Sequence, residues 1–291
     1  MTAPRLRDLL TSGASRLRGA GIETPELDAA LLLGFLLGLD RAALYARILD
    51  DAPPDLSSPF DALIERRLRR EPVAYLTGTK EFMGLAFTVN DAALVPRPET
   101  ELLVEWAARR LGARTDRARI VDVGTGSGAI AVALASMMPS ARVVASDLSQ
   151  KALAVARMNA RQHGVAGRVA CVCGDLVSWL GQPAEMILAN LPYLTDAQTN
   201  AADLRAEPRG ALAGGGGDGF GLYRALIPQV PARLLPGGAF AFEIDPSQAE
   251  IAAALCDATF PLAVIALHRD LAGLARFVTV ETSPSWSASR R

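Results

Sequence analysis

The chain has 291 residues, half of them apolar and 21% charged, with 30 Lys or Arg set against 31 Asp or Glu. That length allows one large or two modest domains with a sizeable core, and the composition excludes wholesale disorder. A formal net charge of −1 argues against a protein that holds long nucleic acid mainly by electrostatics.

Met1 to Arg18 alternates Leu with Arg and has no uninterrupted apolar run, so it does not read as a signal peptide. The longest apolar stretch, Ala29 to Leu39, falls well short of the ~20 residues a membrane span needs, and a cytoplasmic protein is expected. From Pro4 to Arg70 the pattern is helical. Leu6, Leu9 and Leu10 share a face, and Thr24-Pro25-Glu26 opens a second helix with a capping residue and an early Pro. That helix is expected to carry Leu27, Leu31, Leu32 and Phe35 inward. Asp40 caps a short third helix ending near Leu49, and Ser58-Pro59 starts a fourth. The latter ends on Arg66, Arg67, Arg69 and Arg70, cations that suit a helix C-terminus and read as a solvated end. Residues 1–72 therefore read as a helical domain. Glu81 to Asn90 alternates like a β-hairpin around Gly84, within a linker over 73–95.

From 96 to 285, strand and helix patterns alternate. A helix runs from about Glu99 to Arg110. Strands are expected near Arg119–Val123, Arg142–Ser146, Arg168–Cys173, Glu185–Ala189, Ala239–Ile244, Val264–His268 and Arg276–Val280. Helices are expected near Ala129–Met137, Gln150–Gly164, Leu222–Leu235 and Ser247–Cys256. This is the signature of an α/β fold with a doubly wound, mostly parallel sheet. Cys171 and Cys173 share a strand face and, with Cys256, read as buried structural thiols; their spacing suits neither a disulfide framework nor a metal site. Gly214-Gly215-Gly216-Gly217 reads as a mobile loop.

Four positions along the chain carry chemistry. Asp122-Val123-Gly124-Thr125-Gly126-Ser127-Gly128 runs from an apolar strand into a glycine-rich turn and a helix, where missing Cβ atoms let a ligand approach the backbone. Alone this also reads as a nicotinamide-dinucleotide fingerprint or as a purely structural turn. Asp147, ending the second strand, suits the two hydroxyls of a ribose, or the N-cap of the next helix, or both at once. Asp175, after the third strand, suits an exocyclic amine of adenine or a simple turn. Asn190-Leu191-Pro192-Tyr193 follows the fourth strand, where the ligand crevice of an open α/β sheet lies. The Asn190 side chain and the Leu191 carbonyl offer two acceptors, and Tyr193 a flat face, for a planar –NH₂ group of an amide or of adenine.

These motifs make the chain recognisable. The Asp122–Gly128 run resembles the S-adenosyl-L-methionine (AdoMet) motif of class I methyltransferases. Asn190-Leu191-Pro192-Tyr193 resembles the motif of enzymes that methylate planar nitrogens. Glu71 to Phe82 and Val95-Pro96-Arg97-Pro98-Glu99-Thr100-Glu101 resemble the HemK/PrmC family, the N5-glutamine methyltransferases of peptide chain release factors. Glu207-Pro208, Gly217-Asp218-Gly219, Glu243-Ile244 and His268 to Phe277 extend the likeness to nearly the whole chain.

The resemblance implies a Rossmann-like, seven-stranded class I methyltransferase domain behind a helical domain that docks the substrate. It implies AdoMet as methyl donor, S-adenosyl-L-homocysteine as product, and a release factor as partner. A monomer is expected, with no stable nucleic-acid partner, no membrane and no metal. Gly124, Thr125, Gly126, Ser127, Gly128, Asp147, Asp175, Leu176 and Asn190 would hold the cofactor. Asn190, Leu191, Pro192 and Tyr193 would hold the reacting amide, with Arg97 also binding substrate. A nucleic-acid adenine-N6 methyltransferase needs the same two acceptors and is the alternative. Two positions depart from the family: Leu191 stands where Pro is usual, with only its carbonyl expected to be used, and Leu176 replaces an aromatic residue, so adenine stacking is expected to weaken. Asp245-Pro246 replaces the family's Gly and has no reading from sequence.

Overall fold

A computed structural model describes residues 4–112 and 118–286; the outermost residues of the expected terminal segments and the stretch 113–117 lie outside the described residues. The chain forms two compact units: Met1–Thr79 with Ala201–Ala206, and Lys80–Asn200 with Glu207–Arg291. Among the described residues no helix is long and apolar enough to cross a membrane.

The first unit is helical: α1 (Leu6–Gly19), α2 (Pro25–Leu37), α3 (Arg41–Ala46), α4 (Ser57–Leu68) and α5 (Val73–Thr77). Its core gathers Leu17, Leu32, Leu33, Phe60 and Ile64. A Cβ on Gly13 would lie 2.8 Å from the Phe60 ring, so the close approach of α1 to α4 requires glycine there. Asp40 caps α3 by accepting from the Ala43 N–H at 2.7 Å. Thr24 does not cap α2; its hydroxyl donates to Asp28 at 2.9 Å.

Two further expectations fail in this unit. Leu27, Leu31 and Phe35 point outward, at 37%, 39% and 48% exposure, while Ala29, Ala30, Leu32 and Leu33 are buried. The α2 sequence is apolar nearly all round, so periodicity alone selects no face; small residues take the side that packs closest. Nor is the arginine cluster a solvated helix end. Arg67 donates to the buried Asp28 at 2.7 Å, Arg66 pairs with Glu71, and Arg70 binds Asp203 at 3.0 Å and the Ala20 and Gly21 carbonyls. Only Arg69 of the four is exposed. Except for Glu71, the acceptors lie far away in sequence, which hides them from a helix-end reading.

The second unit opens within the hairpin of β1 (Thr79–Phe82) and β2 (Leu85–Thr88), at Lys80. Its turn places Met83 and Gly84 at φ 53° and 72°. There follow α6 (Glu99–Leu111), β3 (Arg119–Val123), α7 (Ala129–Met137), β4 (Arg142–Asp147), α8 (Gln150–Gln162), β5 (Val169–Cys173) and β6 (Ala184–Ala189). The rest comprises α9 (Asp196–Thr199), α10 (Gly221–Leu226), β7 (Leu234–Glu243), α11 (Ala249–Thr259), β8 (Val264–Arg269) and β9 (Ala275–Glu281). The seven-stranded sheet has the order β5-β4-β3-β6-β7-β9-β8, parallel except at β9, which runs antiparallel to both neighbours. Central β3 and β6 are almost wholly buried, as strands covered by helices on both faces must be.

The helix expected over Leu222–Leu235 stops at Leu226. Pro228 and Pro231 break it into two 3₁₀ turns, and Leu234 already opens β7. Of the three cysteines only Cys256 is buried; Cys171 is half-buried and Cys173 exposed, because β5 is an edge strand. The Gly214–Gly217 run is tied into a turn rather than free: Gly214 N–H donates to Leu194 O, and Leu222 N–H to Gly214 O, both at 3.0 Å.

Candidate active site

The chain leaves β3 towards β4 and β5 on one side, then returns to place β6 on the other. The carboxyl ends of β3 and β6 therefore flank the topological switch point, where open α/β sheets bind ligands. A cavity of about 460 Å³ opens there, all its walls drawn from the second unit. It is lined by Gly124, Thr125, Gly126, Ser127, Asp147, Asp175, Leu176, Asn190, Leu191, Pro192 and Arg97. Gly128 and Tyr193, also expected at the site, do not line it.

The glycines after β3 have distinct tasks. Gly124, at φ +71°, would bring a Cβ within 2.6 Å of the Leu191 side chain, so the two loops meet only across glycine. Gly126, at φ +55°, borders the cavity, and a Cβ there would meet nothing within 4 Å. Gly128, at φ +83°, begins α7, and its Cβ would lie 3.0 Å from that of Ala156 on α8. Beneath the turn, Asp122 is fully buried. One of its oxygens accepts from the Thr125 hydroxyl and from the Ala131 N–H at 3.2 Å; Oδ1 has no partner among the described residues. Burial pushes its carboxyl up to about 7, with the two hydrogen bonds opposing.

Asp147 accepts the Gly126 N–H at 2.9 Å and the Ser149 N–H at 2.8 Å. The N-cap of α8 is Ser149, whose hydroxyl accepts from the Ala152 N–H, so Asp147 orders the glycine turn instead of capping the helix. Each carboxylate oxygen keeps a lone pair for a second donor. Leu176 sits in the left-handed region at φ 48° and is buried. The nearby aromatic ring belongs to Trp179, which donates to Leu176 O at 2.8 Å and covers Gly174, where a Cβ would come within 2.2 Å of it.

The loop after β6 is held from four sides. Asn190 Nδ2 donates to the Thr100 hydroxyl at 2.9 Å, and that hydroxyl donates to Glu243 Oε2 at 2.6 Å. Tyr193 OH donates to Glu243 Oε1 at 3.0 Å. Leu191 N–H donates to the buried Tyr223 hydroxyl at 3.0 Å. Gln248 Nε2 donates to the Tyr193 and Asp218 carbonyls at 2.9 and 3.0 Å. Burial raises the Glu243 carboxyl above the usual carboxylate range, and lifts both tyrosine hydroxyls too.

Leu191 is thus more than a carbonyl: its N–H is bonded and its side chain packs in the core. Arg97 pairs with the buried Glu207, which also accepts the Val95 N–H at 3.1 Å. Asp245-Pro246 acquires a reading as well. Asp245 caps a 3₁₀ turn by accepting the Ser247 N–H at 2.9 Å, and its own N–H goes to Gln248 Oε1. Thr100, Glu243, Tyr223 and Gln248 are the side chains holding this loop that sequence reasoning missed; Thr100 and Glu243 lay inside recognised segments without a role.

The titratable side chains on the cavity wall are Asp147, Asp175 and Arg97. His163 instead bonds Ala86 O, and His268 stacks on Phe277. No group of side chains among the described residues could hold a metal ion. The described wall of the cavity carries no imidazole or thiol; its acidic side chains, Asp147 and Asp175, stand opposite no metal-ligand cluster, and Asn190 brings a side-chain amide to it.

Residues 8–78 match the family model described as the PrmC N-terminal domain, and residues 98–216 the methyltransferase small domain. The chain is 43% identical over 277 residues to the release factor glutamine methyltransferase of Deinococcus radiodurans, covering 94% of this chain and 97% of that one. It is equally 43% identical over 279 residues to that of Bradyrhizobium diazoefficiens, covering 93% of each. A methyltransferase from Pyrococcus furiosus shares the fold at a TM-score of 0.53 and 16% identity, over 75% of this chain and 97% of that one. The fold is that of the class I methyltransferases, served by an AdoMet-type methyl donor.

Proposed function

This chain belongs to the release factor glutamine methyltransferase family, and on that premise we propose that it methylates the side-chain amide nitrogen of the glutamine in the Gly-Gly-Gln loop of peptide chain release factors. The donor is AdoMet, and the products are N5-methylglutamine and S-adenosyl-L-homocysteine. The observation that carries this reading is the state of Asn190: it lines the cavity with Nδ2 already given to Thr100, which leaves Oδ1 for a substrate proton.

The residues fit the cofactor. The open space in front of Gly126 and the acceptors of Asp147 and Asp175 at the strand ends suit an amino-acid chain, a ribose and an adenine amine in turn. When bound, AdoMet supplies an electrophilic sulfonium methyl. An amide nitrogen is a poor nucleophile because its lone pair is delocalised into the carbonyl. Asn190 Oδ1 and the Leu191 carbonyl accept its two protons and aim the nitrogen, and positioning of this kind is worth up to roughly 7–11 kcal/mol. Pro192 stiffens the turn that holds both acceptors. Methylation makes the nitrogen acidic, so a proton held at Asn190 Oδ1 leaves afterwards, and the absence of an imidazole from the described wall is no obstacle.

Docking falls to the helical domain, residues 1–72, joined through 73–95 to the methyltransferase domain over 96–285. The exposed Leu27, Leu31 and Phe35 recur every four residues and so form one apolar stripe along α2. The enzyme acts as a cytoplasmic monomer. The nucleic-acid alternative is not favoured, since the relatives that match nearly the whole chain are named for release factor glutamine.

The test supplies radiolabelled AdoMet with purified release factor, its Gln→Ala variant in the Gly-Gly-Gln loop, and unmodified rRNA or DNA. Label in the intact factor alone is expected. Label in the nucleic acid, or undiminished label in the Gln→Ala factor, refutes the reading.

A further inference from the structure

We propose that Thr100 and Glu243 are positioning residues that fix which end of the Asn190 side-chain amide faces the substrate, an inference that rests on the glutamine-methylating role given to this loop. An asparagine amide has an acceptor end and a donor end of nearly the same shape. Turned one way, Asn190 presents Oδ1, which accepts a proton of the substrate –NH₂. Turned the other way it presents its own –NH₂, and two donors confront each other at the reacting nitrogen. Shape alone does not choose between these states; a directional partner does.

The structure supplies that partner as a three-membered chain. Glu243, at the end of β7, is 3% exposed. As a carboxylate it has acceptors only, and both its oxygens are taken: Oε1 by the Tyr193 hydroxyl at 3.0 Å and Oε2 by the Thr100 hydroxyl at 2.6 Å. Thr100 has a single hydroxyl proton. With that proton committed to Glu243, Oγ1 can offer Asn190 only a lone pair, so Nδ2 must turn towards Thr100, at 2.9 Å. Oδ1 is then the end left for a ligand. With both hydroxyls donating to it, the Glu243 carboxylate sets the direction of every bond in the chain.

The same arrangement explains two placements. Tyr193 does not line the cavity because its hydroxyl is the second ligand of Glu243, so its task is to hold the carboxylate. Thr100 stands in the first turn of α6, immediately after Pro96-Arg97-Pro98-Glu99, where it is 4% exposed. A buried threonine at a helix start ordinarily satisfies its hydroxyl on local backbone. This one reaches across to the loop after β6 and to strand β7.

Replacement of Glu243 by glutamine makes the consequence sharp. The amide introduced by Glu243→Gln can accept from Tyr193 with its oxygen and donate to Thr100 with its nitrogen. The Thr100 proton is then released towards Asn190, whose amide turns over and presents –NH₂ to the substrate.

The experiment uses the full-length protein and release factor, comparing wild type with Thr100→Val, Thr100→Ser and Glu243→Gln. Single-turnover methylation is read beside AdoMet affinity by calorimetry, with circular dichroism as the check on folding. Thr100→Val, which keeps the shape and loses the hydroxyl, is expected to lower kcat by roughly 10- to 100-fold, the range for one oriented hydrogen bond, with AdoMet Kd changed by less than about twofold. Thr100→Ser is expected to restore kcat to within about threefold of wild type, and Glu243→Gln to fall as far as Thr100→Val. Wild-type kcat in Thr100→Val, or equal loss in Thr100→Ser, overturns the proposal. Hydrogen exchange of the Asn190 side-chain –NH₂, followed by NMR, gives a readout that needs no turnover: slow in wild type and Thr100→Ser, fast in Thr100→Val. Equal exchange in all three overturns the proposal even if the protein methylates something else, whereas failure of wild type to label glutamine overturns only the functional reading.

Discussion

Asp147 is where cofactor affinity can be tested most directly. Its carboxylate accepts the Gly126 and Ser149 N–H groups at 2.9 and 2.8 Å, and its remaining lone pairs border the cavity. Two ribose hydroxyls bound there would be charge-assisted hydrogen bonds, each worth ~1.5–3 kcal/mol. Counting both at the lower value, Asp147→Ala is expected to raise the Kd for AdoMet by about two decades. The same change releases the Gly126 N–H from its acceptor, so the glycine turn is less well ordered before binding, which adds to the loss. Asp147→Asn separates the two effects. It keeps an acceptor oxygen for one of the backbone donors but sets an –NH₂ against the other and removes the charge, so it should bind at least about tenfold more weakly than wild type. The assay is calorimetric titration of AdoMet and of S-adenosyl-L-homocysteine, after circular dichroism shows that each variant is folded. Wild-type affinity in folded Asp147→Ala would refute the ribose assignment, because no other carboxylate of the described wall ends β4.

What the sequence made legible was local. The runs that became β3, β4 and β6 announced themselves by apolar content and flanking turns, and the glycines after β3 and the loop after β6 followed because strand ends carry ligand loops. Asp147 was legible for the same reason. Contacts set by the tertiary fold were not. Thr100 and Glu243 are separated by 143 positions, and nothing near either residue shows that they meet over Asn190. Tyr223 reads as one more core aromatic until its hydroxyl is found under the Leu191 N–H. The outward face of α2 was hidden because a helix of Ala and Leu on nearly every side gives periodicity nothing to measure. Cys173 was misjudged because alternation shows which residues share a face, not whether the strand stands at a sheet edge. The site's skeleton lay in short motifs, whereas the bonds that orient its side chains come from elements that meet only on folding.

Three further outcomes are expected. Leu191→Pro restores the residue usual in the family but removes the N–H that Tyr223 accepts. Leaving that hydroxyl short of a partner costs about 1–3 kcal/mol, so the melting temperature should fall by several degrees. Part of the loss should return when Tyr223→Phe is added, and an unchanged melting temperature in Leu191→Pro would remove the bond from the account. On the helical unit, Leu31→Asp with Phe35→Asp is expected to raise KM for release factor about tenfold or more while AdoMet Kd stays unchanged; equal KM by steady-state methylation would strip α2 of its docking role. The last concerns Asp122, whose carboxyl burial lifts to about 7, against about 4 in an unfolded chain. The folded state binds this proton more tightly than the unfolded state does. The stability the group contributes is therefore fully present below about pH 4 and lost as pH rises through about 7. At about 1.4 kcal/mol per unit, its share of stability should fall by roughly 2–3 kcal/mol between about pH 5 and pH 8. Asp122→Asn cannot ionise, so urea unfolding of this variant at the two pH values should show that much less difference than wild type. A wild-type difference preserved in Asp122→Asn would mean that the pH dependence arises at some other group, Glu243 being the next buried carboxyl to examine.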